Sequence, residues 1–102
     1  MSEWIEVCAT DCIDEEDVIR WDHDSRSFAI YHTKKGFFAT AAYCTHQQAD
    51  LEDGVVIGAV IECPLHQGRF DIATGKALRA PVRIDLATFP VKVEGGIVFI
   101  NI

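Results

Sequence analysis

Two short cysteine–histidine pairs constrain this chain more than any other feature. They are Cys44–Thr45–His46 and Cys63–Pro64–Leu65–His66, a C-x-H and a C-x-x-H with 16 residues between them. A histidine two or three residues from a cysteine is a metal-ligand habit. Each pair follows an apolar, β-like run, so each can occupy a loop at a strand end. Two such loops side by side would form a clamp, each finger offering one soft thiolate and one imidazole. The chain has 102 residues, enough for one domain and not two. A domain of that size buries a modest fraction of its surface, so a bound metal group would also act as a staple.

The runs around the pairs read as short strands. Residues 27–33 (SFAIYHT) and 36–43 (GFFATAAY) are rich in β-formers and are split by Lys34–Lys35–Gly36, a hairpin signal. Residues 55–62 (VVIGAVIE) form another apolar run, with Gly58 as a turn or bulge. Phe70–Ile72 and Lys76–Leu78 flank the turn Ala73–Thr74–Gly75. Pro90–Val91–Lys92–Val93–Glu94 alternates, Gly95–Gly96 turns, and Ile97–Val98–Phe99–Ile100 returns. Only 10–17 and 46–51 could host a helical turn, the first capped by Asp11. The expectation is an all-β fold, an antiparallel sandwich or barrel.

Composition removes several classes of function. A formal net charge of −7 argues against nucleic acid, whose phosphates need Lys and Arg. It suits either plain solubility or steering toward a basic partner. No run of 18 apolar residues exists, so no membrane span is expected. The acidic start MSEWIEVCATDCIDEED lacks the basic-then-apolar order of a secretion signal, which makes the cytoplasm the expected compartment. In that reducing setting Cys8 and Cys12 read as free thiols and small apolar fillers. His23 and His32 read as surface or strand residues, and Trp4 and Trp21 as packing. Asp50, Glu52 and Asp53 read equally as a solvated turn ending at Gly54 or as part of a docking surface.

Two metal groups fit two cysteines and two histidines. Zinc would take all four on one tetrahedral ion. A Rieske [2Fe–2S] centre puts both cysteines on one iron and both histidines on the other. Generic ligand rules do not choose between them; the neighbouring residues do. The stretch CTHQQADLEDGVVIGAVIECPLHQGRF, Cys44 to Phe70, resembles the Rieske ferredoxins that serve bacterial aromatic ring-hydroxylating dioxygenases. The resemblance continues through DIATGKALRAPVRI into the terminal hairpin and covers nearly the whole chain.

It implies a Rieske fold over residues 1–102, with a small cluster-binding subdomain of two loops at about 43–70. A proline loop at about 79–83, around Pro81, would cover the cluster from a third side. It also implies one Rieske-type [2Fe–2S] cluster on Cys44, His46, Cys63 and His66. The expected role is one-electron transfer from an NAD(P)H-dependent flavoprotein reductase to a terminal ring-hydroxylating oxygenase, by a carrier that is a monomer and not itself an enzyme. An alternative is the small Rieske subunit of an assimilatory nitrite reductase, which shares fold and motif. An oxygenase proper would need a further iron held by two histidines and a carboxylate; only His23 and His32 are left for it, and the chain is too short for a substrate pocket.

The ligand set explains the chemistry. Two Fe³⁺, two S²⁻, two thiolates and two neutral imidazoles sum to zero charge. An electron is added more easily to that centre than to an all-cysteine dianion. In the high-potential respiratory relatives, a serine two residues after the second histidine and a tyrosine four residues after it donate to the cluster sulfurs. Here those positions are Gly68 and Phe70. Those relatives also tie the two loops with a disulfide, at positions that here are Ala49 and Leu65. The potential is therefore expected toward the low end of the Rieske range, on the order of −150 mV.

Overall fold

The computed structural model describes residues 3–45, 48–65 and 67–102. Among these residues eleven strands form three antiparallel sheets. The first joins β1 (Trp4–Ala9), β11 (Ile97–Asn101) and β10 (Val91–Glu94), in that order. The second runs β2 (Asp17–His23), β3 (Arg26–Thr33), β4 (Gly36–Ala41) and β9 (Thr88–Phe89). The third runs β5 (Val55–Ile57), β6 (Val60–Glu62), β7 (Arg69–Asp71) and β8 (Ala77–Arg79).

Strand β3 explains how the sheets stack. It is nearly continuous in apolar residues because both its faces are covered. The two-residue alternation of a strand sends Phe28 and Ile30 to one side and Ala29 and Tyr31 to the other. Phe28 and Ile30 pack with Ala39, Val98 and Ile100, which joins the first two sheets as a sandwich. Ala29 and Tyr31 pack with Leu51, Ile61, Phe70 and Ile72, which joins the second sheet to the third. The buried Tyr31 hydroxyl is satisfied by Thr40 Oγ1 at 2.8 Å. The third sheet enters as an insertion, since β4 and β9 pair directly through Ala39–Phe89 and Thr40–Thr88.

The turns follow the sequence signals closely. Lys34 and Lys35 form the two-residue connection between Thr33 and its partner Gly36. Gly58 turns between β5 and β6 with φ +60°, and Gly95 and Gly96 turn the last hairpin at +57° and +76°. All three φ values lie where a side chain would be strained. The helical turn expected within 10–17 is present as a short 3-10 turn at Thr10–Cys12, but it is preceded by Ala9 with no side-chain cap, so Asp11 does not cap it. Among the described residues a second 3-10 turn, Leu51–Asp53, begins where the expected 46–51 turn would end; His46 and Gln47 lie outside the described residues.

Cys8 and Cys12 are also not free thiols. The register of β1 against β11 shifts between Glu6 and Cys8, and the turn at Thr10–Cys12 folds the chain back. The two Cα atoms come to 6.5 Å and the sulfurs are bonded as a disulfide. That separation lies within the range a disulfide spans. Trp4, expected to pack, is 41 % exposed, with Lys92 Nζ 4.6 Å above its ring.

Candidate metal centre

The two sequence motifs lie on two hairpin-like loops. The first leaves β4 and closes at its neck through a bridge between Tyr43 and Asp50. Inside that neck the Cys44 N–H donates to Ala49 O at 2.9 Å, and outside it Leu51 N–H donates to Ala42 O at 2.9 Å. Asp50 then starts the following turn, its Oδ1 accepting from Glu52 N–H at 3.0 Å. The second loop joins β6 to β7. Its neck is the Glu62–Arg69 pair, and Cys63 N–H donates to Gly68 O at 2.7 Å. Arg69 forks onto Glu62 Oε2, from Nε at 3.0 Å and from Nη2 at 2.8 Å. Each cysteine is thus the first residue inside a closed neck, where the backbone fixes it.

Cys44 and Cys63 are both free and are 4 % and 2 % exposed. They belong to the core cluster that contains Leu51, Ile61, Phe70 and Val82. Leu65 N–H points at Cys63 Sγ at 3.5 Å. Burial pushes the Cys63 thiol up to about 11; the Leu65 N–H opposes this and the adjacent Cys44 side chain adds to it. A thiol buried like that of Cys63 resists ionising alone, and a soft cation would relieve that cost by binding it as the thiolate. The donors therefore fit a thiolate-bound metal group. His46, His66 and Gln47 lie outside the described residues. Among the described residues, no three metal-binding side chains stand together.

A third segment touches both loops. Val82, just after Pro81, is buried against Gly68, so close that a Cβ on Gly68 would fall 2.6 Å from Val82 Cγ1. Thr45 Oγ1 in the first loop donates to Ile84 O at 2.6 Å. Leu65 and Ile84 are exposed at 43 % and 69 %. His23 and His32 are engaged elsewhere. His32 Nδ1 lies 2.8 Å from Ile13 O, with its ring stacked on Phe37. His23 stacks on Trp21 beside Asp24.

The acidic residues after the first loop are less free than the sequence suggests. Arg20 on β2 pairs with Asp50 at 2.7 Å, and its backbone N–H donates to Glu52 Oε2 at 2.9 Å. No sequence signal points to Arg20, because its partner is 30 positions away. Glu62 and Arg69 were legible in principle, since they flank the second motif as hairpin partners would.

An all-β scaffold holding two buried free thiols on neighbouring loops fits the class of proteins that clamp a thiolate-bound metal group. Comparisons with known proteins narrow this. The family described as Rieske [2Fe-2S] domain matches residues 3–90. The chain is 45 % identical over 100 residues to the naphthalene 1,2-dioxygenase system ferredoxin component of Pseudomonas putida, covering 98 % of this chain and 96 % of the relative. It superposes on the Sphingomonas yanoikuyae B1 ferredoxin with a TM-score of 0.91 at 35 % identity, covering 97 % and 98 % of the two chains. It also superposes, with a TM-score of 0.90 at 35 % identity and 95 % and 91 % coverage, on a chain in a complex of reduced oxygenase and oxidised ferredoxin in carbazole 1,9a-dioxygenase. The chain belongs to the Rieske [2Fe-2S] domain family. It carries a Rieske-type [2Fe–2S] cluster and is an electron carrier rather than an enzyme.

Proposed function

We infer that this chain takes electrons one at a time from an NAD(P)H-dependent flavoprotein reductase and delivers them to the terminal oxygenase of an aromatic ring-hydroxylating dioxygenase. The observation that carries this reading is the full-length likeness to a ferredoxin component of such a system, at 45 % identity. The likeness to a ferredoxin in complex with an oxygenase supports the acceptor. Residues 1–102 form one Rieske domain in this reading, acting as a monomer in the cytoplasm.

Cys44 and Cys63 would hold one iron, and His46 and His66 the other. When bound, the cluster supplies a one-electron centre whose mixed ligands keep its potential above that of all-cysteine clusters. The protein's own contributions are specific. The closed necks orient the two thiols, the Leu65 N–H stabilises charge on Cys63 Sγ, and burial among Leu51, Ile61 and Phe70 keeps water from the cysteine side. The segment 79–83 covers the second loop through Val82. Exposed Leu65 and Ile84 offer apolar ground for transient docking.

The test is reconstituted turnover of a candidate oxygenase and reductase with and without this chain, alongside EPR of the reduced carrier. A Rieske-type signal and turnover dependent on the chain are expected. A colourless protein with one zinc would overturn the reading. Efficient transfer to an assimilatory nitrite reductase, and none to any oxygenase, would replace the proposed acceptor.

A further inference from the structure

The grip of Arg20 on the first loop is more than a surface ion pair. Its guanidinium is spoken for on three sides. Nη1 donates to Asp50 Oδ2 at 2.7 Å, Nε to Asp22 Oδ1 at 3.0 Å, and Nη2 to Ser27 Oγ at 3.0 Å. Asp22 and Ser27 are direct partners across β2 and β3, so they anchor the fork to the body sheet. The same guanidinium lies 5.2 Å from the centre of the Tyr43 ring. Tyr43 and Asp50 are the two residues that close the neck of the first loop. They are also the chain neighbours of Cys44 and Ala49, the next hydrogen-bonded pair inward.

We propose that Arg20 is a positioning residue for the first ligand loop, fixing its neck to the body sheet and so setting where Cys44 presents its sulfur. This rests on the reading of Cys44 as a ligand. Isolated exposed ion pairs contribute little to stability. A planar fork with each edge occupied differs, because its value lies in orientation. The Arg20 guanidinium reaches both sides of that neck from β2, Tyr43 through its ring and Asp50 through its carboxylate. Lysine could keep the charge but could not present three N–H groups in one plane.

The experiment compares cluster-loaded wild type with Arg20→Met, Arg20→Lys, Asp50→Asn and Lys92→Met. Lys92 pairs with Glu94 at 3.2 Å on a different sheet and serves as the control. Three quantities are read: the melting temperature, the rate of visible bleaching in excess iron chelator, and the EPR g-values of the reduced protein. Arg20→Met and Arg20→Lys should both bleach about three- to tenfold faster, tenfold corresponding to about 1.4 kcal/mol. Both should show displaced or broadened g-values, and Asp50→Asn should move the same way. Lys92→Met should match wild type in bleaching and EPR. Unchanged bleaching and EPR in Arg20→Met and Asp50→Asn, with only the melting temperature lowered, would overturn the proposal. So would wild-type behaviour of Arg20→Lys beside a defective Arg20→Met, because charge alone would then suffice. Should Arg20→Met fail to fold, Arg20→Lys and Asp50→Asn decide the matter. Cys44→Ser is run in parallel. Retention of a native cluster there would sink the ligand reading itself, whereas its loss leaves the Arg20 result to stand or fall alone.

Discussion

Gly68 and Val82 should behave as one unit when mutated. Gly68 is absent from the five glycines with positive φ, so its backbone would accept alanine. The obstacle is Val82. An alanine Cβ at Gly68 would sit 2.6 Å from Val82 Cγ1, well inside the 3.4 Å at which ordinary contact begins. Valine is short and branched, so it cannot swing clear without moving its backbone. Overpacking of this kind costs about 1–3 kcal/mol. Val82→Ala alone removes two methyl groups from a buried site, a loss of about 2 kcal/mol. In the double mutant the new methyl occupies space the valine vacated, so its cost should be close to that of Val82→Ala alone. The assay is thermal melting of the cluster-loaded single and double mutants, followed by far-UV circular dichroism and by visible absorbance at one scan rate. Each kcal/mol should lower the midpoint by roughly 4–8 °C in a domain near this size. Gly68 O also accepts from Cys63 N–H at 2.7 Å, so Gly68→Ala should disturb the visible spectrum as well. Additive losses in the double mutant, or a neutral Gly68→Ala, would refute the argument that Val82 is what demands glycine there.

Cys44→Ser or Cys63→Ser should abolish the native cluster and destabilise the fold, because metal binding is coupled to folding; Cys8→Ser and Cys12→Ser should keep full iron content while losing about 2 kcal/mol, as expected for a disulfide closing so short a loop. Iron analysis and melting curves check both. Phe70→Tyr should raise the midpoint potential in protein-film voltammetry, with a ceiling of roughly 65–130 mV for one hydrogen bond to a charged group. Phe70 is fully buried, so a hydroxyl that reaches no sulfur would instead lower stability and leave the potential unchanged. Transfer rates should fall with ionic strength, and Asp53→Asn should flatten that slope more than Asp50→Asn, since Asp50 is already paired with Arg20. Equal slopes in a salt series would remove the distinction.

The sequence made the turns most legible, and it placed Cys44 and Cys63 on two neighbouring loops. Lys34–Lys35, Gly58 and Gly95–Gly96 fall where the punctuation of Gly and hairpin residues puts them. It was weakest at the N-terminal end. The bulge between Glu6 and Cys8 breaks the alternation of β1, and Arg20, Asp22 and His23 give β2 a polar tone that hides its single buried residue, Val18. The Cys8–Cys12 bond depends on the bulge in β1 and the turn at Thr10–Cys12, neither of which the cysteine spacing announces. The acidic turn at Asp50–Asp53 read as free surface because a partner on a distant strand leaves no local mark. Gly68 read as a lost hydrogen-bond donor; its packing against Val82, 14 positions on, becomes visible only in three dimensions.

The direct pairing of β4 with β9 has a consequence for how the chain assembles. Thr40 and Thr88 are neighbours in one sheet although the whole third sheet lies between them in sequence. The β2–β3–β4 meander needs only tight turns and can form early. Strand β9 must wait until a long excursion returns, and the entropy of closing a loop rises by about 0.6 kcal/mol with each doubling of its length. A group that ties both inserted hairpins together shortens that excursion before the return strand docks. Metal incorporation would thus act as a basting stitch, and amide hydrogen exchange at Ala41, whose N–H donates to Ala87 O, would report whether the seam is closed.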